Sequence, residues 1–254
     1  MQIAGITAMV TGAGSGMGKA TARFLAQEGA SVALLDLNVD AAHEVASEIG
    51  GEAFACDVAD ATGAEQAVAN AVDSMGMPRL LVNCAGIATG QRTVGRDGPM
   101  PLEDFKRVID INLVGTFNMI RLAAARMFEL DAVSDSGERG VIVNTASVAG
   151  FEGQIGQAAY SASKGGVIAL TLQSAREFAS KGIRVMTIAP GLIDTPMLRG
   201  MSDEVRESLS SQVPFPKRFG QPEEYARLVG HIIENEMLNG DVIRLDGAIR
   251  LQPR

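Results

Sequence analysis

The sequence predicts a doubly wound α/β fold: one parallel sheet of seven strands with helices on both faces, Rossmann-type, in a single domain spanning residues 1–254. Three observations predict it. Apolar runs of strand length alternate with amphipathic stretches of helical length along the whole chain. The runs are nearly unbroken Val, Ile, Leu and Ala, as strands buried on both faces require. The first run leads into a glycine-rich turn and then a helix.

Taken in order, Ile6–Val10 reads as the first strand and Gly18–Glu28 as the first helix. Ser31–Leu35 is a strand and Ala41–Ile49 a helix; Ala53–Cys56 is a short strand. Ala64–Met75 carries alanine and valine at three–four spacing, so it reads as a helix buried along one face. Leu80–Val82 begins the fourth strand. Leu102–Phe128 is broadly helical, in two pieces expected to meet near Gly115. Val141–Asn144 is the fifth strand, Ala158–Ser180 a long helix and Ile183–Ile188 the sixth strand. Pro222–Ile233 is helical and Val242–Leu245 closes the sheet. The irregular stretches are Thr89–Pro101, Asp131–Arg139 and Asp194–Pro216. The last of these includes more apolar residues than a solvent loop needs, and residues 194–216 are expected to form a lid.

A formal net charge of −8 repels phosphate backbones and anionic lipid, which argues against nucleic acid or a membrane as the main partner. No apolar run is expected to reach membrane-spanning length. Cys56 and Cys84, far from His43 and His231 in sequence, form neither a disulfide framework nor a metal pattern, so no metal is expected. The start Met1-Gln2-Ile3 has no charged leader, and the expected location is cytoplasmic.

Any phosphate-bearing ligand must then be held locally. Thr11-Gly12-Ala13-Gly14-Ser15-Gly16-Met17-Gly18 follows the first strand, with glycines at positions 12, 16 and 18 that let backbone approach a pyrophosphate at a helix N-terminus. The second strand runs into Asp36. A carboxylate there, near the ~20-residue offset past the glycines, accepts hydrogen bonds from a ribose diol and repels the extra phosphate of NADP. Asp57-Val58 closes the third strand and Asn83-Cys84-Ala85-Gly86 the fourth, at the edge where an open parallel sheet binds its ligand.

Tyr160 and Lys164 stand at i and i+4 of the long helix and share a face. A phenol titrates near pH ~10. A neighbouring ammonium, with the positive ring of an oxidised nicotinamide, favours the phenolate and makes it a base. Ser147, which ends the preceding strand at Asn144-Thr145-Ala146-Ser147, carries a hydroxyl that could bond a reacting oxygen. Asn112 is a polar residue in an apolar helical stretch, and needs partners if buried.

Taken together with Pro190-Gly191-Leu192-Ile193-Asp194-Thr195, these motifs resemble the short-chain dehydrogenase/reductase family in its single-domain form, in the same order and over essentially the whole chain. Cys84 stands where the family usually has Asn. The resemblance implies NAD as cofactor, held by Gly12, Ser15, Gly16, Met17, Gly18, Asp36, Leu37, Asp57, Val58, Asn83, Ala85, Gly86, Pro190, Gly191, Ile193 and Thr195, with Tyr160 and Lys164. It implies that Tyr160 exchanges the alcohol proton, that Lys164 lowers the Tyr160 pKa, that Ser147 orients the substrate oxygen, and that Asn112 holds a relay water.

Asn144–Gly150, Phe151-Glu152-Gly153-Gln154, Gln157–Gly166, Arg184–Leu192, Gln212–Pro216 and Leu238-Asn239-Gly240 through Ile249 further resemble the 3-hydroxyacyl-CoA dehydrogenase type 2 subgroup. That implies NAD-dependent oxidation of a (3S)-3-hydroxyacyl-CoA to the 3-oxoacyl-CoA, and a homotetramer. Gln157, Leu192, Met197, Leu198 and Phe215 are the expected substrate contacts, with Met201 and Val213 in the same apolar lid and Arg92, Arg96, Lys217 and Arg218 as candidates for the CoA phosphates. The alternatives are an NAD-dependent dehydrogenase of a steroid, terpenoid or other secondary alcohol, an NADP-linked reductase, which Asp36 argues against, and a non-catalytic nucleotide-binding scaffold.

Overall fold

The computed structural model describes residues 1–199 and 202–253, with the side chains of Met197, Arg199 and Asp203 outside that description. The chain runs β1 (Thr7–Thr11), α1 (Gly16–Gln27), β2 (Ser31–Asp36), α2 (Val39–Ile49), β3 (Glu52–Ala55), α3 (Ala61–Met75) and β4 (Leu80–Asn83). A small hairpin follows, β5 (Val94–Gly95) with β6 (Gly98–Pro99), then α4 (Leu102–Ile109) and α5 (Gly115–Met127). The rest is β7 (Gly140–Thr145), α6 (Ala158–Phe178), β8 (Ile183–Pro190), α7 (Pro196–Arg199), α8 (Asp203–Ser211), α9 (Pro222–Glu234) and β9 (Val242–Leu245).

The main sheet has seven strands in the order β3-β2-β1-β4-β7-β8-β9, all parallel. Its order reverses between β1 and β4, so a crevice opens there at the carboxyl ends. Although the strands are apolar throughout, alternate residues serve different layers. Ala8, Val10, Val32 and Leu34 join Val82 and Val143 under α1, α2 and α9, where Tyr225, Val229 and Ile232 are fully buried. Met9, Ala33, Leu35, Leu81 and Ile142 face the other way, onto Val68 of α3 and Met119, Ile120 and Ala123 of α5.

The helices start earlier than apolar periodicity suggests: α1 at Gly16, α2 at Val39 and α3 at Ala61. For α2 and α3 capping decides this, because the first turn is set by the residue before it. Asn38 accepts from the Ala41 amide at 3.2 Å and Asp60 from the Thr62 amide at 3.1 Å. The third strand stops at Ala55, so Asp57 and Val58 lie beyond it rather than closing it. The expected break near Gly115 is instead a π-helical turn over Asp110–Val114. Gly115 serves close packing: a Cβ there would stand 2.5 Å from the Val58 side chain. Leu102–Met127 forms one continuous helical stretch of 26 residues, long and apolar enough to meet the criterion for a membrane span, which no run was expected to do. Half of its most apolar window is buried inside the molecule, as in a core helix of a covered sheet.

The glycine turn is held by one close approach. A Cβ on Gly18 would stand 2.1 Å from the carbonyl oxygen of Gly12, so the start of α1 lies directly on the end of β1. Gly18→Ala is expected to force the two apart, lowering stability by about 1–3 kcal/mol, the usual cost of overpacking. The shift in urea midpoint measures it, and an unchanged midpoint contradicts the tight approach.

Candidate active site

Two hollows lie over the carboxyl ends of the strands and share Met17, Cys84, Gly86 and Thr195, so they form one cleft. The first, about 320 Å³, is lined by the glycine turn, Asp36, Leu37, Asp57, Val58 and Ala85. The second, about 220 Å³, is lined by Ser147, Tyr160, Lys164, Gln157 and the segment Pro190–Ile193.

The residues of the first hollow fit a dinucleotide. Gly12 and Gly16 hold positive φ, +63° and +52°. At the N-terminus of α1, Ser15 makes no side-chain cap and the first turn carries no acidic residue, which leaves backbone N–H groups free for a phosphate. Asp36 is positioned from both sides: Oδ2 accepts from the Gly14 amide at 2.8 Å and Oδ1 from the Asn38 amide at 2.8 Å. Each oxygen keeps a lone pair for a ribose hydroxyl. Thr11, part of the motif but not among the expected contacts, ties the cradle together. Its Oγ1 accepts from the amides of Cys84 and Ala85, both at 3.1 Å, fixing the turn after β4 beside the glycines.

Asn83 departs from expectation. It is buried and does not line the cleft; its Nδ2 donates to Asn144 Oδ1 at 2.9 Å on the neighbouring strand. Strand alternation is the reason, since Asn83 is the last residue of β4 and its register partner is Asn144.

In the second hollow, burial of Tyr160 pushes its phenol above the ordinary value, and a hydrogen bond with Ser147 pulls the other way. Ser147 also caps the short 3-10 turn after β7, accepting from the Ala149 amide at 3.1 Å. Lys164 Nζ stands 5.8 Å from the centre of the Tyr160 ring and donates to the Thr145 carbonyl at 2.8 Å. Burial brings the Lys164 ammonium down to about 8. In the protein alone burial is the largest influence on both groups, raising the phenol and lowering the ammonium. Their shared helix face brings the two side chains into the same hollow.

Asn112 is fully buried in the π-helical turn. Its Oδ1 accepts from the Ile87 amide at 2.8 Å, while Nδ2 donates to the Ile87 carbonyl at 2.8 Å and to Ser163 Oγ at 3.1 Å. The side chain clamps the turn after β4 to α6, with both ends of its amide engaged. It lies beside Gly86, where a Cβ would be 3.1 Å from its Oδ1.

Of the expected substrate contacts, Gln157, Leu192 and Leu198 line the cleft. The side chain of Met197, and Met201, lie outside the described residues. Phe215 does not line the cleft and is 82% exposed; Val213 is buried but does not line the cleft either. Arg218 is engaged by Glu224 through two bonds, 2.8 and 2.9 Å, and that guanidinium holds the Glu224 carboxyl at about 2. Arg92, Arg96 and Lys217 are exposed. Leu251 lines the cleft without any local signal in the sequence, because tertiary folding alone brings it there. Among the described residues no cluster of three or more His, Cys, Asp or Glu could hold a metal ion.

Residues 6–206 match the short chain dehydrogenase family profile. The chain is 52% identical to the 3-hydroxyacyl-CoA dehydrogenase type-2 of Bos taurus over 255 residues, covering 99% of this chain and 97% of that protein. It is 36% identical to the ipsdienol dehydrogenase of Ips pini, over 95% of this chain and 96% of that protein. Among solved structures, a 3-hydroxyacyl-CoA dehydrogenase type-2 from Mycobacterium avium superposes with a TM-score of 0.92 at 40% identity, covering 98% of this chain and 97% of the other.

The buried Lys164 has a signature in stability. Its folded pKa of about 8 lies below the ordinary lysine value of 10.5, so between those values the unfolded chain binds more protons and stability rises with pH. The thermal midpoint of the wild type relative to Lys164→Met is expected to climb from pH 8 to pH 10 and to stay flat below about pH 7. A difference independent of pH contradicts the burial.

Proposed function

This chain belongs to the short chain dehydrogenase family, and on that premise we propose that it oxidises a (3S)-3-hydroxyacyl-CoA to the 3-oxoacyl-CoA with NAD. The carrying observation is that Ser147, Tyr160 and Lys164 line one wall of a cleft continuous with a dinucleotide-shaped cradle. The names of the relatives supply the substrate class. The dinucleotide, when bound, supplies the hydride acceptor and a positive charge. Ser147 holds the substrate hydroxyl, Tyr160 as phenolate removes its proton, and the carbinol C–H electron pair leaves as hydride while the C=O bond forms. Lys164, on the same helix face, adds a cation below its own pKa. The non-catalytic alternative is disfavoured because Ser147, Tyr160 and Lys164 all line the same hollow.

Asp36 supports NAD over NADP: its carboxylate is held toward the cleft by the Gly14 and Asn38 amides and would oppose a phosphate there. The purified protein is therefore expected to reduce NAD, and NADP poorly, with 3-hydroxybutyryl-CoA. Tyr160→Phe should lower kcat by about 10²–10⁴-fold while leaving the dissociation constant for NAD near that of the wild type. Turnover of steroid or terpenoid alcohols, with none of the CoA ester, sinks the substrate assignment and leaves the catalytic residues standing.

A cytoplasmic homotetramer completes the proposal. Its support is that Cys56 and Cys84 are free thiols, and that α4, α5 and α6 pack together around the π-helical turn yet leave Val114, Phe117 and Leu172 exposed. Light scattering of the full chain is expected to give four times the 26.6 kDa chain mass, and a monomer overturns this part.

A further inference from the structure

One wall of the reaction cleft comes from a segment outside every sheet strand and every motif. Leu251 lines the cleft beside Gln154, Gln157 and Leu198. Polar bonds hold the segment around it against residues 152–155. The Leu251 amide donates to Glu152 Oε2 at 2.9 Å, Gln154 Nε2 to the Gln252 carbonyl at 2.9 Å, and the Ile155 amide to the Pro253 carbonyl at 3.1 Å.

Glu152 is itself fixed. Arg244, the third residue of β9, donates from one terminal nitrogen to Glu152 Oε1 at 2.8 Å, from the other to the Ile249 carbonyl at 3.0 Å, and from Nε to Asp246 at 2.7 Å. The Arg244 hydrogen bond is the largest influence holding the Glu152 carboxyl below its usual range, so it remains an ionised acceptor at neutral pH. Just upstream, Ile249 is fully buried beside Gly191, where a Cβ would stand 2.9 Å from Asp246 Cα and 3.2 Å from the Ile249 side chain. The segment is thus tied at its start to the Pro190-Gly191 turn and along its length to the 152–155 segment. A wall held this way presents one apolar side chain, Leu251, at a set depth. Around it Val148, Leu192 and Leu198 are apolar, while the hydroxyls of Ser147 and Tyr160 mark the reacting end.

We propose that Leu251 is a specificity-determining residue that limits the bulk of the apolar substituent on the carbinol carbon, and that Glu152 is the positioning residue that keeps it in the wall. The proposal rests on the alcohol-oxidising reading of this cleft and adds the element that sets its depth. No polar group of Leu251 takes part in the chemistry, so its effect falls on discrimination between substrates.

The test uses the full-length enzyme with NAD and two substrate series: 3-hydroxybutyryl-, 3-hydroxyhexanoyl- and 3-hydroxyoctanoyl-CoA, and simple secondary alcohols of matching chain length. A single methylene in an apolar pocket changes kcat/KM by roughly 10–200-fold. Leu251→Ala is therefore expected to raise the longer-to-shorter ratio of kcat/KM by about tenfold or more, and Leu251→Phe to lower it. Glu152→Ala should raise the substrate KM without raising the KM for NAD, and Glu152→Gln, which keeps a carbonyl acceptor for the Leu251 amide, should recover part of the loss. Chain-length ratios unchanged in both Leu251 variants overturn the proposal, as does a Glu152→Ala effect that falls equally on NAD and substrate. If the wild type uses the alcohols and not the CoA esters, the acyl-CoA assignment has failed, and the alcohol series still decides the role of Leu251.

Discussion

Gly18 rests on the carbonyl of Gly12 at a distance that leaves no room for a Cβ, and the rest of the site depends on that contact. It sets the uncapped N-terminus of α1 over the end of β1, with its amides open to the crevice. Gly12 makes a second close approach, to the backbone of Ala85, where a Cβ would stand 2.8 Å from the amide nitrogen. Thr11 bonds the same turn, so the ends of β1 and β4 are held together at the point where the sheet order reverses. A parallel sheet covered on both faces has little place for polar chemistry except the ends of its strands. Here those ends are brought close enough for a single cleft to run from Asp36 to Tyr160.

Along that cleft, burial and charge oppose each other. Desolvation pushes the Tyr160 phenol up and the Lys164 ammonium down, so both groups are biased toward their neutral forms in the protein alone. The hydrogen bond with Ser147 works against this for Tyr160, and the Thr145 carbonyl gives Lys164 an acceptor 2.8 Å away. A positive charge brought into the cleft would favour the phenolate. A site arranged this way becomes basic when its reactants are present, which suits a residue that must take a proton only from a bound alcohol.

How much was legible depended on the range of the interaction. Tyr160 and Lys164 share a face because helical geometry is local, and the glycine turn is legible because its backbone demands are local too. Asn83 was misplaced because a strand residue faces either the cleft or its neighbour, and register with Asn144 sends it to its neighbour. Asn112 was recognised as a buried polar residue, but its partners, Ile87 and Ser163, lie 25 and 51 residues away. Phe215 and Val213 are both apolar and two residues apart, yet one is exposed and the other buried. Leu251 reaches the cleft through Glu152, a partner 99 residues away.

By itself the sequence determined the layered α/β architecture, the phosphate-facing turn, the acidic residue at the end of β2 and the Tyr160–Lys164 pair, because each follows from periodicity, backbone freedom or side-chain spacing within one element. Only the tertiary structure decided which strand-end side chains enter the cleft, which polar residues clamp it, how far burial shifts the phenol and the ammonium, and which apolar residue closes its wall. Those outcomes depend on register, desolvation and contacts between segments distant in sequence, and such quantities exist only once the chain has packed.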